Sequence, residues 1–271
     1  MKPRLSGRTD SVTVIALVSL ILILIPILTV IYFGFFVYRS PLGFSRQVFL
    51  SISLTLVSAS ISAVLIFVVF TPLAYALARK EGRLSEAISD IPASIPHPIV
   101  GIAFLIIGSP ITPFGRFLSD HGLGLYDSFL GLLLVLSFIS APIYVRSAQS
   151  LFASIDRAPE EFAMTLGKAR LSVLYGIIIP SHIRSVFSSV LTSMSRAISE
   201  FGSVAILVFY IIGGPFNGTE TASVLIYQYY GYYGPGAAVT ASALLIVISV
   251  ALLIAMKIIG SSAFMKTEVK H

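Results

Sequence analysis

The chain has 271 residues, of which 56% are hydrophobic and only 11% charged, with a net charge of +6 and no cysteine. A water-soluble domain carries about 25% charged residues; this composition, with a mean hydropathy of +0.95, excludes one whose whole surface faces water. The lack of cysteine excludes disulfides, thiolate nucleophiles and thiolate metal sites.

Six apolar segments follow in chain order, at about residues 12–36, 51–78, 93–108, 129–151, 186–212 and 237–259. Measured against a hydrocarbon core of about 30 Å at about 1.5 Å per helical residue, they predict an all-α membrane protein with about six transmembrane helices. The first follows Lys2, Arg4 and Arg8 but is too long for a signal peptide and lacks a small-residue cleavage site, so it reads as a retained span. The third is short and broken by Pro96 and Pro98. These segments divide the chain into a basic N-terminus with the first span (1–48), a five-span core (49–260) and a tail (261–271).

Orientation follows from the basic residues. With the N-terminus inside, fourteen of the eighteen Lys and Arg fall on inner segments, among them Lys80, Arg83, Arg146, Lys257, Lys266 and Lys270. Only Arg39, Arg46 and Arg116 fall outside, and Arg196 lies within a span. The excess places both termini in the cytoplasm and accounts for the positive charge without nucleic acid. The longest inner connection is about 152–182, and two longer outer loops run at about 109–128 and 213–235. The second outer loop is rich in tyrosine, as headgroup-level segments are, and its Asn217-Gly218-Thr219 fits the glycosylation acceptor pattern.

Within the inner connection, residues 156–167 read as a short helix. Pro159 suits a first turn, Glu160 and Glu161 suit the positive end of the helix dipole, and Gly167 suits a stop. Phe162, Ala163 and Leu166 are expected on one face. A second apolar run, 172–179, is expected to end at Pro180. Physically this is an amphipathic helix lying on the membrane surface or one docking a partner. The spacing Glu161-Phe162-Ala163, three residues, Gly167, nine residues, Ile177, one residue, Ile179-Pro180 resembles the signature loop of ABC importer permeases. Phe162 and Ile179 depart from the usual Ala and Leu but remain apolar.

That resemblance implies a type I ABC importer permease in which this loop is a coupling helix held by a separate ATPase subunit. It assigns docking to Glu161, Ala163, Leu166 and Gly167, with Pro180 separating the loop from the next span. Gly167-Lys168-Ala169 lacks the upstream glycine of a phosphate-binding loop, so ATP is expected on partner subunits, and no catalytic residue or cofactor is expected in this chain.

The fifth segment carries Arg196, Ser199, Glu200, Phe201 and Gly202. Arg196 lies twelve residues beyond Arg184, or about 18 Å at helical rise. Charges at such depth are costly, and Arg196 and Glu200, four apart, suit either a self-neutralised structural pair or a functional site. Residues 198–202 resemble the corresponding segment of molybdate, tungstate and sulfate permeases, and residues 95–103 resemble the molybdate/tungstate branch. The resemblance runs with gaps over about 51–259 and implies that the fifth span lines the pathway and its gate. His97, between two prolines, either faces that pathway or sits in a packed kink. The remaining histidines, His121, His182 and His271, show no metal-ligand spacing.

The outer charges Arg39, Arg46, Arg116, Asp120, Asp127 and Glu220 cancel, so no basic funnel marks the substrate. Selectivity is expected in a separate oxyanion-binding protein outside the cell. The expected assembly is a homodimer in the plasma membrane with two ATPase subunits, for molybdate or tungstate, with sulfate or thiosulfate as the alternative. An ion-coupled secondary transporter predicts inverted repeats and acids on several spans, whereas Glu200 is the single acid well inside one. An intramembrane enzyme needs a nucleophile–base or metal set, which the sequence does not offer.

Overall fold

The computed structural model describes residues 11–79 and 83–268, and the side chains of 83–86, 257 and 259–268 are outside that description. Lys2, Arg4, Arg8, Lys80, Lys270 and His271 therefore lie outside the described residues, as do the side chains of Arg83, Lys257 and Lys266. The described residues form helices and connections with no strand. Among the described residues, four helices are long and apolar enough to cross a membrane, and there are up to six such spans if each of two sharply bent pairs counts as one.

The chain separates into two compact units, Met1–Ser45 with Ile226–Ile248, and Arg46–Leu225 with Ser249–His271. In the first unit, α1 (Ser11–Tyr32) runs into a π-helical turn, Phe33–Tyr38. No residue of α1 is buried, as suits a span whose surround is hydrocarbon. Its end packs on a later helix through glycine. A Cβ on Gly34 would lie 2.5 Å from Ala243 Cβ, and Thr240 Oγ1 donates to the Gly34 carbonyl at 3.2 Å.

The second unit is built on α2 (Arg46–Arg79) and α6 (Phe129–Ser154), helices of roughly 51 and 39 Å at about 1.5 Å per residue. One face of α2 buries Ser51, Thr55, Ser58, Ala59, Ser62 and Ala63, small residues that let backbones approach, while Val57, Val64, Val68 and Val69 stay exposed. Hydroxyls bridge the spans: Thr71 Oγ1 lies 2.6 Å from Tyr144 Oη, and Ser147 Oγ lies 2.8 Å from Ser189 Oγ. Ser128 caps α6 by accepting from Gly131 N at 2.9 Å.

The third span is two helices, α3 (Arg83–Ser94) and α4 (His97–Gly108); Ala87–Ser94 and His97–Gly108 meet at 104°. The break falls at Pro96, where the sequence places it, because a residue before proline is pushed out of the helical region. After α4, Thr112 caps α5 (Pro113–Asp120) by accepting from Gly115 N at 2.8 Å.

The connection after α6 holds α7 (Ala158–Thr165), α8 (Arg170–Val173), a π-helical turn at Leu174–Ile178, and α9 (Ile179–Ser181). Pro180 does not end this segment. It occupies the first turn of α9, where a missing N–H is tolerated, and the 92° bend into α10 (Ile183–Ile198) falls at His182.

The expected fifth span at 186–212 is not one helix. α10 stops at Ile198, the chain turns, and after the short α11 (Val204–Leu207) it runs irregularly. Glu200 supplies the cause: its carboxylate accepts from Ser203 N at 2.9 Å, giving that amide a side-chain acceptor in place of a helical carbonyl. The expected outer loop at 213–235 is also partly helical, holding α12 (Ala222–Tyr233), and α13 (Pro235–Glu268) closes the chain with its apolar stretch at Pro235–Met256.

Candidate functional site

The broken third span and the turn after α10 meet in a compact polar cluster. Glu200, its side chain fully buried, accepts from Arg196 Nη2 at 2.9 Å, and His97 Nδ1 lies 3.1 Å from the same Oε2. The His97 ring also lies 2.8 Å from Arg196 Nη2. The backbone joins in: Ser203 Oγ donates to the His97 carbonyl at 2.5 Å, and Ser223 Oγ donates to the Glu200 carbonyl at 2.8 Å. Arg196 Nη1 donates to Ser199 Oγ at 3.2 Å.

Glycine makes this approach possible. A Cβ on Gly202 would sit 3.0 Å from Pro98 Cδ, and one on Gly101 would sit 2.6 Å from the Ser203 carbonyl oxygen. The residues at 95–103 and 198–202 therefore form one site. Arg196 and Glu200 do pair, four residues apart, although Glu200 lies beyond the end of α10. They are not self-contained, since His97 completes the set from another element. The side chains of Arg196 and His97 are 19% and 34% exposed, Ser199 and Phe201 are exposed, and Glu200 lies behind them. Ser203 and Ser223 are not legible as members, although Ser203 borders the quoted 198–202 motif, and Gly101 lies inside the 95–103 motif without any signal of its contact.

The second candidate site is α7. Phe162 and Leu166 are 67% and 68% exposed, and Glu161 and Gly167 are exposed beside them. Ala163 does not share that face: it turns inward, 5% exposed, into a cluster with Tyr75, Tyr144, Phe152 and Val173. Gly167 has φ +81, and Lys168 N donates to the Ala163 carbonyl at 3.2 Å, so the helix ends on a left-handed glycine. Pro180 is exposed and stands apart, near the bend into α10.

The sequence marks Glu160 only as a partner of the helix dipole. It is 3% exposed, and its carboxylate accepts from Arg79 Nε at 2.8 Å and from the Tyr75 hydroxyl. The partner lies 81 residues away, so spacing carries no signal of it.

An apolar cavity of about 340 Å³ lies between Val57, Ile61, Phe129, Ile211 and Phe216. It has no charged lining residue, so it is not suited to an anion. Buried Asp127 (φ +48) accepts from Phe209 N at 2.8 Å, and its carbonyl accepts from Ile212 N at 2.7 Å, fixing the irregular segment after α11.

No protein-family model matches the chain. Individual relatives do. The molybdate/tungstate transport system permease protein WtpB of Pyrococcus furiosus is 33% identical over 210 residues, 76% of each chain. The chain belongs to the family of molybdate, tungstate and sulfate transport permeases. This permease is also 32% identical over 184 residues to the molybdenum transport system permease protein ModB of Azotobacter vinelandii, covering 66% of its own length and 79% of that protein's. A probable sulfate transport system permease protein, cysT of Nephroselmis olivacea, is 30% identical over 213 residues, 78% and 74% of the two chains. Among solved structures, a chain of the MetNI methionine ABC transporter in inward-facing conformations superposes with a TM-score of 0.54 over 80% of this permease and 93% of that chain, at 20% identity. That likeness establishes a type I ABC importer permease fold.

Proposed function

We propose that this permease carries molybdate or tungstate into the cytoplasm by alternating access, powered by ATP hydrolysed on separate subunits. The observation that carries the reading is the 33% identity to a molybdate/tungstate permease over three quarters of both chains. In this reading two copies form the membrane pathway in the plasma membrane with both termini in the cytoplasm, two ATPase subunits grip the α7 helices, and an outer oxyanion-binding protein delivers the cargo.

Glu161, Phe162, Leu166 and Gly167 form the gripped surface, supported by their exposure at a helix end. Ala163 serves it from behind, and Pro180 marks the approach to the bend. A ligand that binds one state of a bistable element better than the other shifts its population, and ATP closure of the partner subunits acts on α7 in that way. At the broken spans, the edges of Arg196, His97, Ser199 and Phe201 face the pathway. Glu200 neutralises the arginine and Gly202 permits the close packing, so an anion meets positive edges without a deep trap.

The test is uptake in proteoliposomes containing the permease, its ATPase and its binding protein. Tungstate accumulation suppressed by molybdate but not by excess sulfate supports this reading. Suppression by sulfate at equal concentration would transfer the substrate assignment to sulfate.

A further inference from the structure

We propose that Glu160 and Arg79 are the link through which movement of α7 reaches α2 and α6, making Glu160 a positioning residue for transport. This rests on the reading that an ATPase grips α7. Arg79 occupies the last turn of α2 and donates through Nε to Glu160 at 2.8 Å and through Nη1 to the Phe152 carbonyl near the end of α6 at 2.6 Å. One guanidinium thus holds the ends of two long packed spans and the loop helix together. The side chains of Arg79 and Glu160 are 2% and 4% exposed, so water neither screens nor replaces the pair.

Tyr75 completes the joint. Its hydroxyl donates to Glu160, and its ring meets the Phe152 ring edge-on at 5.8 Å. Ala163, Val173 and Leu174 bury into the same cluster, but apolar packing is non-directional and tolerates sliding. The bonds to Glu160 fix the register of α7 on the spans.

The link matters most for α2, to which no short stretch of chain leads from α7: one covalent route runs back to α6 through the non-helical residues 155–157, and the other leads on to α10 and has several joints. This second route passes the left-handed Gly167, the π-helical turn at Leu174–Ile178 and the 92° bend at His182. Each can absorb displacement. Glu160 faces inward on the helix whose exposed side carries Phe162 and Leu166, so a pull on those two side chains loads the ion pair first.

The test uses the complete complex in proteoliposomes. Glu160→Gln keeps an acceptor for Tyr75 but removes the charge. Its ATPase subunits are expected to stay bound and hydrolyse ATP at near the wild-type rate, while tungstate moved per ATP falls about tenfold, within the range for residues that carry coupling. Arg79→Lys is expected to fall similarly, and the double variant no further than the worse single one, because both break one link. Unchanged uptake per ATP in Glu160→Gln would overturn the proposal.

A second measurement does not depend on that variant folding. With no native cysteine, spin labels can be placed at Thr165→Cys and Val69→Cys, both exposed. Their separation is expected to stay constant between nucleotide-free and ATP-trapped complexes, and a change of a helical turn, about 5.4 Å, would overturn the link. If the wild-type chain binds no ATPase subunit, the docking reading and the link fall together. If Leu166→Asp releases the ATPase while Glu160→Gln transports normally, only the link falls.

Discussion

Glu200 lies beyond the end of the helix that carries Arg196, yet its carboxylate stands 2.9 Å from the arginine's Nη2 and 3.1 Å from His97 Nδ1. The pair therefore ties an element end to a broken span and does more than stabilise one helical turn. Glu200→Ala is expected to lower the melting temperature in detergent and abolish uptake. Removing one partner of a buried pair costs about 3–5 kcal/mol. The partial exposure of Arg196 and His97 lets water recover part of that. Unchanged melting and uptake would remove the cluster from the mechanism.

Gly101→Ala tests the packing of the same joint without touching a charge. The added Cβ would stand 2.6 Å from a backbone oxygen, which cannot swing aside as a side chain does. Overpacking of this kind costs about 1–3 kcal/mol. Thermal unfolding is expected at lower temperature, with uptake reduced and ATPase association retained.

Leu166→Asp is expected to weaken ATPase association measured by co-purification. Leu166 is 68% exposed, so its loss does not open the core. Burial of a leucine in a partner groove contributes about 1.5–3 kcal/mol, and losing it corresponds to binding weaker by about tenfold to a hundredfold. Ala163→Asp should instead lower folded yield, because that side chain is 5% exposed inside the α2–α6 cluster.

Gly167→Val is expected to perturb coupling through the backbone. Nothing lies within 4 Å of a Cβ built there, so space is no obstacle. The cost is the left-handed conformation at φ +81, roughly 1–2 kcal/mol for a side-chain-bearing residue. Reduced uptake per ATP with an intact membrane fold is the outcome to look for in paired transport and hydrolysis assays.

Much of the architecture is legible in the sequence because long apolar runs leave few alternatives in a bilayer. The break at Pro96 is legible for the same local reason that proline excludes its predecessor from a helix. The end of α10 is not legible because residues 204–212 are apolar and continue the run, whereas a single carboxylate capping Ser203 N stops the helix. The exposed face of α7 is not legible because Ala163 is as apolar as Phe162, yet only Phe162 is exposed. Which of them turns inward is set by Glu160 reaching an arginine 81 residues earlier. His97 and Arg196, 99 residues apart, are joined by the same kind of long-range contact, which spacing within one motif does not encode.

The nucleotide dependence of tungstate uptake bears on the whole proposal. Proteoliposomes holding this chain, its ATPase subunits and the binding protein should accumulate tungstate only when ATP is present on the ATPase side. Accumulation by the purified chain alone, driven by an imposed ion gradient without nucleotide, would contradict the proposed ATP-driven function.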